Sequence, residues 1–232
     1  MHIFPTKNCI LCGVTSREDL CPSCNGDLPR LPEPHCQVCL WPVAESGICG
    51  ACLSSSPAFT RSIAAVRYAF PVDALIQSLK YRANLTLAPV LARLLLARIE
   101  TLPCKPDLLI PMPLHPLRLR ERGFNQAMEI ARWIAGRMNL PLLPDACRRI
   151  KHTQPQMELP WQQRRKNIRK AFECSMDLRG KHIAVVDDVM TTGATLNELA
   201  ATLRKQGASE ISNWVIARTL LEKNQIDPFS IV

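Results

Sequence analysis

Residues 183–195, Ile-Ala-Val-Val-Asp-Asp-Val-Met-Thr-Thr-Gly-Ala-Thr, constrain the fold more than any other part of the chain. Four apolar residues, including the β-branched Val185 and Val186, read as a buried strand that stops at two carboxylates, Asp187 and Asp188. Leu196, Leu199, Ala200 and Leu203 then share one face at helical spacing, and Gly207 can end that helix. Backbone N–H groups at a helix start have no intrahelical partner and point at incoming anions. Gly193 allows the main chain to come close, and Thr191, Thr192 and Thr195 add hydroxyl donors. The segment therefore reads as a phosphate cradle. The two acids just before it are placed to accept hydrogen bonds from both hydroxyls of a ribose.

Strand, acid pair, Thr-Thr-Gly-Ala-Thr and helix together resemble the 5-phosphoribosyl pyrophosphate (PRPP) loop of type I phosphoribosyltransferases. Two other readings exist: an acid pair at a strand end of another nucleotide-binding fold, and a Thr/Gly turn without a ligand.

At 232 residues the chain is long enough for one sizeable domain and a small one. It has no run of about 18 apolar residues, as a membrane span needs, and no signal-peptide core before Cys9. A cytoplasmic protein without a membrane span is expected. The net charge of +9 is unevenly spread: residues 111–180 hold 14 Lys and Arg against 6 Asp and Glu, whereas residues 1–58 hold 3 against 5. Such a basic band just before a phosphate cradle suits a polyanionic ligand, either a pyrophosphate or a nucleic-acid backbone. A solvated basic face is the alternative.

Eight of the eleven cysteines form four Cys-x-x-Cys pairs: Cys9/Cys12, Cys21/Cys24, Cys36/Cys39 and Cys49/Cys52. Eight thiolates can close two tetrahedral zinc sites with no position left for water, so two structural zinc ions are expected. Residues 1–58 are otherwise rich in Pro, Gly and polar side chains and cannot bury enough apolar surface to offset their chain entropy. A structural zinc, worth roughly 10 to 16 kcal/mol in small fingers, would fold them. Disulfides, a redox motif and a ferredoxin-like cluster fit the compartment and spacing less well. Ligand pairing stays open between sequential sites and an interleaved set with Cys9, Cys12, Cys36 and Cys39 on one ion. The remaining Cys104, Cys147 and Cys174 read as isolated thiols.

Between these features the pattern alternates. Residues 62–70 read as a strand; helices follow from Pro71 and from about Thr86; Leu108, Leu109 and Ile110 form a short buried strand stopped by Pro111 and Pro113. Helices alternating with short apolar strands predict an α/β domain over 59–220 with a largely parallel sheet flanked by helices, followed by a loose tail at 221–232. A loop carrying Arg118, Arg120 and Arg122 precedes a helix that Asn125 can cap. Ligands in open α/β sheets bind beyond the carboxyl ends of the strands, so this loop and the cradle can share one crevice, with guanidinium forks for a pyrophosphate.

Taken together, the paired zinc ribbons, Pro-Met-Pro-Leu-His-Pro (111–116), Arg-Glu-Arg-Gly-Phe-Asn-Gln (120–126) and the 185–195 motif resemble the ComF/GntX family. The likeness runs from Cys9 to about Leu220. It implies a type I phosphoribosyltransferase-like fold behind a small N-terminal double zinc ribbon. It also implies a role in DNA uptake, in competence or in use of DNA as nutrient, with PRPP as ligand and Mg²⁺ accompanying it. The implied roles are catalytic orientation of the ribose by Asp187 and Asp188, and 5′-phosphate binding by Thr191, Thr192, Gly193, Ala194 and Thr195. Arg118, Arg120, Arg122, Arg149 and Lys151 would attend the pyrophosphate. In phosphoribosyltransferases a loop in the 148–172 region closes over PRPP. The competing use of this region is a single-stranded DNA contact, with Trp161 for stacking and Arg164, Arg165 and Arg169 for phosphates. The slightly acidic ribbons favour a DNA-uptake protein partner over direct phosphate binding. The sequence carries no signal of oligomeric state.

Purine-salvage phosphoribosyltransferases usually carry an acid at the position of Thr191. Its absence argues against 6-oxopurine transfer but not against activity, because orotate- and amide-type enzymes work without it. The phosphoribosyl acceptor is left open.

Overall fold

The structure is a computed structural model, and it describes residues 7–151 and 168–220. Trp161, Arg164, Arg165 and the 221–232 tail lie outside the described residues.

The N-terminal part contains two short strands, β1 (Lys7–Asn8) and β2 (Thr15–Ser16), and two single-turn helices, α1 (Pro22–Gly26) and α2 (Gly50–Ser54). Both halves are built alike. A Cys-x-x-Cys turn is closed by Gly13 N–H donating to the Cys9 carbonyl, or Leu40 N–H to that of Cys36. The second Cys-x-x-Cys pair then opens a helix, with Cys21 or Cys49 as the N-cap.

The larger part begins with β3 (Arg61–Arg67), shorter than the strand expected over 62–70, and continues through α3 (Val72–Arg82), α4 (Leu87–Ile99) and β4 (Leu108–Pro111). Arg118–Arg122, expected in a loop, belong to a short helix, α5 (Pro116–Arg122). Pro116 at its first position suits a helix start, and Gly123 ends it in the left-handed conformation, at φ 80°. Next come α6 (Gln126–Met138), the small antiparallel pair β5 (Cys147–Arg149) and β6 (Phe172–Cys174), then β7 (His182–Met190), α7 (Ala194–Lys205) and β8 (Glu210–Arg218). Cys147 and Cys174, read as isolated, face one another across β5 and β6.

The sheet has the order β3-β8-β7-β4 with every pairing parallel. Alternate side chains of β7 and β8 serve two cores. Ala184, Val186, Trp214 and Ile216 pack with α3, α4 and α6 on one face, while Ile183, Val185, Ile211 and Val215 pack with α7 on the other. The neighbours β4 and β7 are thus followed by helices on opposite faces. A crevice opens between the carboxyl ends of such strands.

The ribbons sit astride the outer strand β3. Cys9, Leu20, Cys21 and Leu28 join the α4 core, whereas Cys36, Val38, Cys39, Leu40 and Cys52 join the α7 core. Their main chain also covers the strand edge: Arg67 N–H donates to the Pro29 carbonyl, between the two tetrads, at 2.7 Å, and Ser62 N–H to the carbonyl of Gln37, in the second ribbon, at 3.3 Å.

Candidate ligand site and metal centres

Asp187 and Asp188 lie at the carboxyl end of β7, 9% and 3% exposed. Asp187 Oδ1 accepts from the Asp188 N–H at 2.8 Å, and Asp188 Oδ1 accepts from Gln126 Nε2 at 3.1 Å. The Lys80 ammonium, from the last turn of α3, forms an ion pair with Asp188 Oδ2. Burial and the neighbouring charge of Asp188 push the Asp187 carboxyl well above its ordinary range. Burial acts the same way on Asp188, but Lys80 outweighs it, with hydrogen bonds from Asp187 and Gln126 assisting, and holds that carboxyl low. Desolvation is the largest single effect on Lys80, but the charge and hydrogen bond of Asp188 with the charge of Asp187 together outweigh it, and the ammonium is raised in turn. The acids therefore divide their roles: Asp188 is ionised and paired, and Asp187 keeps its proton more readily.

Gln126 also links the acids to the arginine helix, since Arg122 Nη1 donates to Gln126 Oε1. The Arg122 guanidinium lies 5.6 Å from the Tyr81 ring centroid, and Arg118 pairs with Glu121 at 3.4 Å. Arg149 lies within electrostatic reach of the site. Burial lowers its affinity for its proton, Asp187 raises it, and Arg118 lowers it. Arg122, through Gln126, and Arg149 thus stand beside the acid pair, and Arg118 is within electrostatic reach of Arg149. Arg120 is exposed on α5, the Lys151 ammonium is held by the Arg169 carbonyl at 2.6 Å, and Arg169 itself is exposed. A cavity of about 580 Å³ lies apart from this site, between β6 and the outer side of α7, lined by Arg148, Lys170, Phe172, Cys174, Glu198 and Lys205 among others.

The cradle follows directly from β7. Gly193 is the N-cap of α7 at φ 76° with no side-chain cap bond; Thr192 Oγ1 accepts from the Ala194 N–H at 3.3 Å, and the Gly193 carbonyl accepts from the Asn197 N–H at 2.8 Å. A Cβ at position 193 would stand 2.8 Å from Met190 Cε. Gly193→Ala must therefore hold a left-handed backbone, at about 1–2 kcal/mol, and displace Met190. Its expected melting temperature is about 2–8 °C below wild type by calorimetry. An unchanged value would mean that the loop does not need this backbone.

The thiols form two tetrads, Cys9/Cys12/Cys21/Cys24 and Cys36/Cys39/Cys49/Cys52, each with all Sγ atoms within 4.8 Å of one another. Pairing is sequential, not interleaved. Cys12 and Cys21 Sγ are 3.7 Å apart and Cys39 and Cys49 Sγ 3.6 Å. A tetrahedron with Zn–S bonds of about 2.3 Å has edges of about 3.8 Å, so the spacing fits zinc. In both tetrads a backbone N–H supports the first sulfur, Cys21 N–H to Cys9 Sγ and Cys49 N–H to Cys36 Sγ, each at 3.3 Å. Backbone N–H groups of Cys12 and Cys21 lower the Cys9 thiol to about 6, and hydrogen bonding from Cys52 brings Cys39 to about 5 against its burial. These are two zinc-binding sites of four cysteines each. His35 lies outside both tetrads, with Nδ1 3.1 Å from the Pro32 carbonyl.

The chain is 34% identical over 212 residues to Competence protein F of Haemophilus influenzae, covering 88% of this chain and 92% of the relative. It belongs to the ComF family. DNA utilization protein YhgH of Escherichia coli is likewise 34% identical, over 91% of this chain and 90% of its own length. Competence protein ComFC of Bacillus subtilis is 25% identical over 87% and 85%. Within this ComF-family chain, residues 1–53 match the double zinc ribbon domain and residues 126–226 the phosphoribosyl transferase domain. The second match begins at Gln126, the residue that touches both Arg122 and Asp188. The fold is accordingly type I phosphoribosyltransferase-like, with the two four-cysteine sites before it. Among the described residues no helix is long and apolar enough to cross a membrane.

Reading the sequence for motifs misses Lys80 and gives Gln126 no role. Lys80 follows the apolar face of α3 and reads as a solvated charge. Gln126 carried one usable signal, its place directly after the capping Asn125, where a side chain can turn into the crevice.

Proposed function

We propose that this ComF-family protein binds PRPP with Mg²⁺ at the carboxyl ends of β4 and β7 and serves DNA uptake or the use of external DNA as nutrient. The observation that carries the ligand reading is the buried acid pair, which stands directly before an α7 start lacking a side-chain cap. Asp187 and Asp188 would orient the ribose hydroxyls, and the main chain and hydroxyls of 191–195 would hold the 5′-phosphate. Arg118, Arg122 and Arg149 would face the pyrophosphate, with Arg120 and Lys151 farther out. The carboxylate and polar oxygens here are the hard donors that Mg²⁺ takes alongside substrate phosphates. Bound there with PRPP, Mg²⁺ would neutralise charge on the departing pyrophosphate as the bond to ribose C1 breaks. Transfer of the phosphoribosyl group to an acceptor belongs to this reading, and Thr191 in place of an acid argues against a 6-oxopurine acceptor.

A second reading keeps the PRPP site for sensing and gives the protein a non-catalytic role, binding single-stranded DNA or a DNA-uptake protein. It draws on the relatives' names and on the basic band of residues 111–180. DNA binding through that band would weaken steeply with added salt.

Isothermal titration with PRPP and Mg²⁺ tests the ligand, followed by a pyrophosphate-release screen across bases, amines and short DNA. Wild type is expected to bind, and Asp187→Asn to bind about tenfold more weakly, loss of a ribose hydrogen bond at a buried site costing about 1–3 kcal/mol. Without ligand, Asp187→Asn is expected to be the more stable protein. A carboxyl whose folded pKa is raised loses stability as pH climbs through that value, and an amide does not. The gain in melting temperature should therefore be larger at pH 8 than at pH 5. A variant that binds PRPP as wild type does would end the assignment.

A further inference from the structure

Arg218, the last residue of β8, is 1% exposed, and its guanidinium joins the second ribbon to the cradle. Its Nε donates to the Cys39 carbonyl at 2.9 Å. Its Nη1 donates to the Met190 carbonyl at 3.2 Å and to the carbonyls of Thr191 and Thr219. A buried cation needs oxygens in place of water, and the planar guanidinium fixes the directions from which they approach. On one side of Arg218 those oxygens belong to a metal-binding turn. On the other they form the floor of the phosphate cradle.

Packing and a second set of hydrogen bonds follow the same route. Met190, which sets the room available at Gly193, is buried in one cluster with Cys36, Cys39, Leu40, Cys52 and Phe59. Where the chain leaves the second tetrad, Ala58 N–H donates to Asn197 Oδ1 at 2.7 Å. Arg204 Nε then holds the Ala58 carbonyl at 3.0 Å, and its Nη2 holds Thr60 Oγ1 at 3.2 Å. Asn197 lies in the first turn of α7. The first ribbon docks on the opposite face, through the Arg93–Asp19 ion pair and the α4 core.

We propose that the second four-cysteine site supports the phosphate cradle, with Arg218 as the positioning residue that carries the constraint, so that metal at Cys36, Cys39, Cys49 and Cys52 tightens phosphate binding by 191–195. The ligand's identity rests on the PRPP reading above; the coupling rests on the hydrogen bonds. Metal fixes the Cys36–Cys39 turn, the turn fixes the Cys39 carbonyl, and Arg218 transmits that position to Met190 and Thr191. Binding free energies are linked reciprocally, so a phosphate ligand must also hold the second metal more firmly.

The test uses full-length protein and two readouts, PRPP affinity by titration and amide hydrogen exchange at 190–195. Cys49→Ser and Arg218→Met are each expected to weaken PRPP binding about tenfold, within the usual range of coupling between sites. Both should speed exchange at 190–195 by a similar factor, while Cys12→Ser in the first tetrad has a several-fold smaller effect. Arg218→Met should still hold zinc at both tetrads, and Arg218→Lys, which keeps the charge without the fork, should fall between it and wild type. In wild type, saturating PRPP should slow extraction of one of the two zinc ions by a chelator. Where Cys49→Ser fails to fold, Arg218→Met decides the matter. Unchanged exchange in Arg218→Met, or equal effects of Cys12→Ser and Cys49→Ser, would overturn the proposal. Wild type that does not bind PRPP, with exchange that still responds, removes the ligand reading and leaves the coupling standing.

Discussion

Lys80→Met is expected to unfold about 6–12 °C below wild type at pH 8. The Lys80–Asp188 pair joins an ammonium that keeps 21% of its side-chain exposure to a carboxylate that keeps 4%. Removing one partner of a buried pair costs about 3–5 kcal/mol, and the residual exposure of Lys80 places this case near about 3. For a chain of this size each kcal/mol moves the melting temperature by about 2–4 °C. The loss should depend on pH. With Lys80 present the Asp188 pKa is depressed, so the acid contributes stability above its unfolded pKa, and that contribution is lost as pH falls through the folded value. Without Lys80 the buried carboxyl is raised instead, and stability declines as pH rises. The two proteins should converge toward pH 4, and Lys80→Met/Asp188→Asn should recover much of the difference. Calorimetry at several pH values checks both points. A deficit that is the same at pH 5 and pH 8 would contradict the pairing.

Removal of zinc should have a still larger effect. Elemental analysis of purified protein is expected to give close to two zinc per chain. Extraction by a strong chelator should abolish cooperative unfolding of the N-terminal part and lower the melting temperature of the rest by more than about 10 °C, since each structural zinc contributes on the order of 10 kcal/mol to folding. The effect should reach the whole protein because Cys9, Cys21, Cys36, Cys39 and Cys52 are members of the two sheet cores. Circular dichroism melts with and without chelator measure it. A metal-free chain with an unchanged melt would overturn the assignment.

Much of the architecture can be read from local sequence because local signals and tertiary structure agree. The 183–186 run is buried as its composition predicts, and Leu196, Leu199, Ala200 and Leu203 are the buried face of α7. Asn125 caps α6 by accepting from the Ala127 and Met128 N–H groups. Cys-x-x-Cys spacing identifies the metal ligands but not their partners, because nothing in the spacing says how the two ribbons fold relative to one another. The side chains that complete the site are harder to find. Lys80 and Arg218 acquire their roles only from partners more than a hundred residues away, Asp188 for Lys80 and the Cys39 carbonyl for Arg218, and Arg218 reads as the polar end of an apolar strand. The facing of Cys147 and Cys174 is hidden for the same reason: it depends on the register of β5 and β6, and the two cysteines are 27 positions apart.

The seat of the ribbons on β3 bears on how a chain like this can be divided. The composition changes near residue 58, yet the apolar surfaces on either side of that point are complements of one another. A fragment starting at residue 59 would keep the acid pair and the cradle but present an unprotected strand edge with bare hydrocarbon above and below it, the form that invites aggregation. The N-terminal piece alone would turn Leu20, Leu28, Val38 and Leu40 toward water. Two modules that can each be recognised by pattern thus form a single unit of solubility, and inheritance or engineering that separates them has to rebuild a surface on both.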